Sequence, residues 1–278
     1  MPIEPSRPIC LLDRLQALFP EASRTSLRSW LATGRVRVNG EVVRRGDVEV
    51  VASDRVTLGA PPVAFPPSLV LVHEDDDLIV VDKPAGLLTV ATERERHRTA
   101  YRLVSDYVAA QRRGARLFIV HRLDRETSGL LVFARSEPVK RALQAQFEAR
   151  TVERVYVAVV EGRVAAATGT LRGRVAEDPR SLRVRTTPRG SQAVTHYRVL
   201  ARRAHSTVLE LTLETGRRGQ IRAQLAALGH PIVGDAAFGS RRDPVRRVCL
   251  HATRLGFRDG TGRARRYESP APAAFERA

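Results

Sequence analysis

Two cysteines in 278 residues, Cys10 and Cys249, are too few and too far apart for a disulfide framework, and they form no CxxC pair. The seven histidines show neither HxH nor HExxH spacing, so no metal centre is expected. No apolar run approaches the roughly 18 residues that a bilayer span requires, and the first residues lack the charged-then-apolar order of a signal peptide. GxGxxG and GxxxxGKS/T are both missing, which argues against a bound nucleotide cofactor. Lysine is nearly absent: of 47 basic side chains only Lys83 and Lys140 are lysines, leaving 45 arginines. These absences exclude a disulfide scaffold, a metalloenzyme and a membrane span. A cytoplasmic protein with no cofactor, working as a monomer, is expected.

What is present is positive charge. The formal net charge is +17 and the sequence pI is about 11.3. Such an excess calls for a polyanionic partner, nucleic acid first. Arginine suits RNA because its planar fork grips phosphate and stacks on bases. A genome-wide codon bias would raise the same count without a functional reason. Hydrophobic residues make up 43% of the chain, enough for one sizeable core plus a small appended domain.

The proline cluster Pro61-Pro62 and Pro66-Pro67 marks a stiff connection. It divides the chain into an N-terminal domain at 1–60, a linker at 61–68 and a larger domain at 69–278. In the first, Leu11, Leu12, Leu15, Leu18 and Phe19 recur at helical spacing, and Leu27, Trp30 and Leu31 mark a second helix with Ser23 as its N-cap. Val36-Arg37-Val38 and Glu41-Val42-Val43 flank Asn39-Gly40, the pair that a type I′ hairpin turn requires. Arg24, Arg28, Arg35, Arg37, Arg44 and Arg45 fall in this unit, with Glu41 as the one acid among them, so it is expected to bind RNA. A solvated basic helix face is the alternative.

Beyond the linker, strand-like stretches outnumber helices. Leu69–His73 and Leu78–Val81 flank the acidic turn Asp75-Asp76-Asp77, and further strands are expected over 154–160, 193–200 and 206–213. Helices are expected over 98–112, over 136–149 with Ser136 as cap and Pro138 in the first turn, and over 218–229. Helices lie between groups of strands and not after each one. The pattern therefore predicts an α+β fold with a mixed, mainly antiparallel sheet and no internal repeat.

Between the apolar runs Leu117–Val120 and Leu130–Ala134 stands His121-Arg122-Leu123-Asp124-Arg125-Glu126-Thr127-Ser128-Gly129. One carboxylate, flanked by Arg122 and Arg125, is thus presented on a short connection between two core strands, as a catalytic group must be. A salt-bridge cluster would look the same in isolation. The stretch matches the HRLDxxTSG motif, and the chain resembles the RluA-type RNA pseudouridine synthases over about residues 10–272. Gly216-Arg217-Arg218-Gly219-Gln220-Ile221-Arg222 resembles the family's GRxHQIR, Lys83-Pro84-Ala85-Gly86-Leu87 its KPxGL, and Gly234–Gly239 its GDxxYG. The N-terminal helix–hairpin unit resembles the S-four-like RNA-binding domain.

The resemblance implies isomerisation of uridine to pseudouridine in RNA, ribosomal large-subunit RNA first and transfer RNA second. It implies Asp124 as nucleophile, Arg222 as its partner, Tyr156 against the target ring and Arg122 beside the extruded nucleotide. The chemistry is consistent with that. An ionised carboxylate in a partly dry cleft needs a cation to hold its pKa down, and Tyr156 can stack on a base or pass a proton. Lys83, after a buried strand, is placed as a Schiff-base nucleophile would be, but the resemblance favours a structural and RNA-facing role. Thr127 and Ser128 are expected to fix the loop by local hydrogen bonds, Gly129 to supply permissive backbone, and His251 to be structural. Ile221, Leu225 and Leu228 are expected to form the buried stripe of the last helix. Gly219 replaces the family's histidine and Phe238 its tyrosine, which puts loop packing and substrate fit in question. A non-catalytic RNA-binding or ribosome assembly factor would explain the charge equally well. An RNA hydrolase would want two acids in partnered roles.

Overall fold

The computed structural model describes residues 8–61, 63–93, 95–112, 114–177 and 184–278. The chain forms two compact units, Met1–Ala64 and Phe65–Ala278, divided inside the proline-rich stretch.

The first unit runs β1 (Ile9–Cys10), α1 (Leu11–Leu18), α2 (Arg24–Ala32), β2 (Val36–Val38), β3 (Glu41–Val42), β4 (Glu49–Val50) and β5 (Val56–Leu58). The Ser23 side chain caps α2 by accepting the Ser26 N–H. Leu11 and Leu15 of α1 meet Leu27 and Leu31 of α2 at i, i+4 spacing, and Val36 and Val50 close the core. Each such side chain, fully withdrawn from water, contributes roughly 1.5–3 kcal/mol. Asn39 and Gly40 both have positive φ, 53° and 92°, so the hairpin turn is of the primed kind that this pair favours. β2 lies between β3 and β5, and β1 pairs with β4.

The second unit is an α+β domain built on one mixed sheet. Its elements are β6 (Val70–Glu74), β7 (Leu78–Lys83), α3 (Ala100–Gln111), β8 (Phe118–Ile119), β9 (Ser128–Ala134), α4 (Glu137–Glu148), β10 (Glu153–Glu161), β11 (Thr168–Glu177), β12 (Val184–Thr186), β13 (Ser191–Arg202), β14 (Ser206–Leu213), α5 (Gln220–Ala227), β15 (Leu250–Arg258) and β16 (Ala264–Glu268). The sheet order is β12-β11-β13-β14-β10-β15-β9-β7-β6, with β16 beside β15 and β8 beside β9. Among the described strands every pairing is antiparallel except β9 with β15. That exception is the seam at the centre, where Ser128 opposes His251 and Gly129 opposes Ala252.

All seven residues of β9 are buried. This is why its sequence is a continuous apolar run instead of an alternating one. Gly129 has φ +112°, and a Cβ there would lie 2.3 Å from the Ala252 carbonyl oxygen. The last residue of the motif is therefore glycine on two counts, backbone conformation and contact with the neighbouring strand. Ser136 caps α4 with Pro138 in its first turn, and Val139 and Leu143 pack onto Leu130, Val132 and Phe257. β11 was not evident in the sequence, and β8 is shorter than the apolar run suggested.

Candidate active site

The motif lies in a cleft of about 1500 Å³, larger than the ~300–1,000 Å³ typical of small-molecule sites. Ten arginines and six carboxylates line it, a balance suited to a polyanion. Among the described residues no cluster of three His, Cys, Asp or Glu has the arrangement of a metal site. No helix among them is long and apolar enough to cross a membrane.

The loop carrying Asp124 is tied down on both sides of that residue. Leu123 is buried, and its N–H donates to Thr89 Oγ1 (3.1 Å) while the Thr89 hydroxyl donates to the Leu123 carbonyl (2.8 Å). The Arg125 carbonyl accepts from the Gly86 N–H (2.8 Å), and Arg125 Nε donates to the Gly86 carbonyl (3.1 Å). Thr127 N–H closes a turn onto the Asp124 carbonyl. Lys83 is fully buried beneath this loop. Its ammonium donates to the carbonyls of Pro84 (2.9 Å), Leu87 (2.8 Å) and Arg125 (3.3 Å). Burial pulls its pKa down to about 8, against the charges of Glu126 and Asp124. Of the structural and RNA-facing role expected for Lys83, burial removes the RNA-facing part: the KPAGL turn wraps around it and the lysine joins that turn to the motif.

His121 is neutral and structural. Its Nε2 accepts the Val132 N–H (3.2 Å), which leaves the ring proton on Nδ1, and it stacks on Phe147 at 4.8 Å. Burial, with Arg154 adding to it, holds its pKa down at about 3. Ser128 does not bond locally. Arg247 Nη2 donates to Ser128 Oγ (2.7 Å), Ser128 Oγ pairs with His251 Nδ1 (2.8 Å), His251 Nε2 reaches Ser269 Oγ (3.2 Å), and the Ser269 hydroxyl donates to Asp82. This chain bridges three strands, β7, β9 and β15, around the seam. His251 is structural in it, in keeping with its sequence context.

Asp124 projects into the cleft with 24% of its side chain exposed. Arg222 Nη1 lies 3.9 Å from Asp124 Oδ2. The stronger partner of Arg222 is Asp235, 1% exposed, which takes both Nε and Nη2 at 2.7 Å. Phe238 covers the guanidinium at 4.6 Å. Burial therefore raises the Asp124 carboxyl above its ordinary value; Arg222, Arg218, the Gly219 amide and Arg122 oppose that rise without cancelling it. From sequence, a cation beside this carboxylate is expected to hold its pKa low. Arg222 does lower it, but burial outweighs the arginine, whose fork also bonds Asp235.

Helix α5 delivers Arg222, and buried amides fasten it. Gln220 Nε2 donates to Val194 O (3.1 Å) and Thr195 Oγ1 (2.9 Å); Gln224 Nε2 donates to Leu171 O and Ala193 O (both 3.1 Å). Gln220, Ile221, Ala223, Gln224 and Leu225 are buried, whereas Leu228 is exposed, so the expected apolar stripe is replaced at its end by a polar one. Gly219 caps α5 in the left-handed region at φ +59°, with Val184 packed 3.2 Å from where a Cβ would be.

Tyr156 is buried on β10 and also lines the cleft. Burial pushes its phenol up to about 12 against Arg154, with Asp124 adding to the rise, so it is protonated at neutral pH. Arg122 is exposed at the rim with no intramolecular partner among the described residues. In the N-terminal unit Arg24 is exposed but paired with Asp13 (2.6 Å), and Arg37 bonds the Gly40 carbonyl (2.8 Å). Arg35 stacks over Trp30 at 5.1 Å with its Nε on Gly59 O. Arg28 is exposed and unpaired among the described residues.

The fold agrees with the comparisons. Residues 77–227 match the sequence profile of the family described as RNA pseudouridylate synthase. The ribosomal large subunit pseudouridine synthase D of Pseudomonas aeruginosa is 36% identical over 95% of this chain and 89% of its own. The RNA pseudouridine synthase YhcT of Bacillus subtilis is 32% identical over 84% of this chain and 80% of its own. Human RNA pseudouridylate synthase domain containing 4 shares the fold, with a TM-score of 0.63 at 22% identity over 74% of this chain and 90% of that one. The chain belongs to the RNA pseudouridylate synthase family.

Proposed function

We propose that this enzyme converts uridine to pseudouridine in large-subunit ribosomal RNA, without a cofactor, using Asp124 as nucleophile. The observation that carries the reading is the Asp124 carboxylate on a fastened loop in an arginine-lined cleft, 3.9 Å from Arg222 and sharing that cleft with Tyr156. An extruded uridine would stack on Tyr156, bringing the sugar to Asp124, and Arg122 at the rim would occupy the space the base leaves. The Asp124 carboxylate divides the isomerisation into two easier displacements at the sugar. The name of the Pseudomonas aeruginosa relative supports ribosomal RNA as the target. The N-terminal unit, read as an S-four-like RNA-binding domain, would add affinity through Arg28 and its basic neighbours. Release of tritium from RNA labelled at uracil carbon five tests the assignment. Wild type should release it and Asp124→Asn should not; release by Asp124→Asn at the wild-type rate would remove the nucleophile assignment.

A further inference from the structure

Arg154 is a cation buried beside the cleft with nothing to neutralise it. It is 8% exposed. Its Nη2 donates only to the carbonyls of Leu213 (3.5 Å) and Glu214 (3.2 Å), and its Nε is buried without a partner. Phe147 lies 5.6 Å from its face. Among the described residues no carboxylate pairs with it; the side chain of Glu214 is taken by Arg150 (3.3 Å) and His196 (3.5 Å). An uncompensated buried charge costs several kcal/mol. A fold that holds one in a reaction cleft has a cation already in place for negative charge that arises there.

Arg154 and Tyr156 are two apart on β10, so they share one face of the sheet, and both line the cleft with Asp124. Asp124 and Arg154 each act on the Tyr156 phenol. The ring thus shares the cleft with the carboxylate and with the guanidinium of its strand neighbour. A uracil stacked over it with its sugar toward Asp124 would turn its outer edge toward Arg154.

We propose that Arg154 is a further catalytic residue that donates from Nη1 to a carbonyl oxygen of the target uracil and stabilises the charge the ring carries while detached. This rests on the reading of Asp124 as nucleophile. As an Asp124 oxygen bonds the sugar's anomeric carbon, the bond to uracil N1 breaks with its electron pair going to the ring, where the charge spreads onto the carbonyl oxygens. After the ring turns, carbon five bonds the anomeric carbon, the Asp124 oxygen leaves with its pair, the proton on carbon five passes to water, and N1 takes up a proton from water, so that the product is an isomer of the starting uridine. A phosphodiester is the less fitting partner. Arginine's bidentate grip on phosphate is not open to Arg154, because Nη2 is capped and Nε is sealed, whereas Arg122 and Arg217 are exposed in the same cleft.

The test uses the full chain carrying Arg154→Met or Arg154→Lys, with single-turnover tritium release, RNA affinity and its salt dependence as readouts. Arg154→Met should slow the single turnover about 100–1,000-fold and leave the RNA Kd within about twofold and the salt slope unchanged. Arg154→Lys, which keeps the charge, should recover at least about tenfold of that loss. Weaker binding with a salt slope reduced by about one would reassign Arg154 to phosphate. An unchanged rate, or a lysine variant no better than methionine, would also overturn the proposal. If Arg154→Met does not fold, Arg154→Lys decides alone: a lowered rate at unchanged Kd and slope supports it, and an unaltered rate overturns it. Inactivity of the wild type itself would instead sink the reading of Asp124.

Discussion

Asp235→Asn separates the two acids that share Arg222. The substitution keeps the shape of the side chain and removes its charge, and it turns one acceptor into an amide that faces guanidinium N–H. Two bonds of 2.7 Å to a 1%-exposed carboxylate are affected. Removing one partner of a buried pair costs ~3–5 kcal/mol. Arg222 is not left wholly alone, because Asp124 remains at 3.9 Å and Phe238 at 4.6 Å, so the lower end, about 3 kcal/mol, is expected. Urea unfolding should show it as a lower midpoint at constant slope. A second effect follows at Asp124. Its carboxyl is raised by burial and only partly relieved by Arg222. Its active form is ionised, so activity is lost as pH falls through that raised pKa. With Asp235 neutral, the charge of Arg222 acts on one acid instead of two, and the acid limb of the single-turnover rate should move to lower pH. The plateau should fall, because the fork no longer fixes the guanidinium. Stability within about 0.5 kcal/mol of wild type, or an acid limb that stays or moves to higher pH, would refute the reasoning.

Four further outcomes are expected. Asp124→Asn should be more stable than wild type at neutral pH by thermal unfolding: a raised carboxyl pKa means that the folded state gives up stability as pH rises through it, and the gain should vanish below the ordinary carboxylate range. Lys83→Met should take a donor from the Pro84 and Leu87 carbonyls, and one of two from the Arg125 carbonyl, and so lower the single-turnover rate without altering RNA affinity; a selective loss of affinity would restore the RNA-facing reading. Gly129→Ala should cost about 3 kcal/mol or more in chemical denaturation, since a Cβ 2.3 Å from the Ala252 carbonyl oxygen forces β9 and β15 apart. Arg28→Gln should reduce the salt slope of RNA binding by about one if that exposed arginine meets a phosphate, and an unchanged slope would exclude it.

The residues legible in advance are those whose neighbours in sequence are also their neighbours in space. The hairpin turn at Asn39-Gly40, the caps Ser23 and Ser136, and the Asp124 loop between apolar runs all belong here, because turn chemistry and burial are written locally. The Arg222–Asp235 fork was not legible: thirteen residues separate the pair, and only the turn after α5 brings them together. The burial of Lys83 is not legible because a lysine ending a strand is ordinarily solvated; it depends on carbonyls supplied by the following turn and by Arg125, forty-two positions on. β11 escaped notice because its burial alternates weakly and it carries two glycines and two arginines, which dilute the apolar signal. Leu228 continues the helical spacing, but α5 turns its glutamines inward onto carbonyls of the sheet and leaves Leu228 exposed. What sequence pattern missed is polar burial, which hydrophobic periodicity does not register.

The central claim is that Asp124 makes pseudouridine in ribosomal RNA. Large-subunit RNA prepared from cells lacking this enzyme can be incubated with the purified wild type or with Asp124→Asn, and its pseudouridines then mapped by position. The account predicts that wild type adds pseudouridine at one or more defined sites and that Asp124→Asn, folded and binding the same RNA, adds none. Equal modification by both proteins, or no new pseudouridine with either, would contradict it.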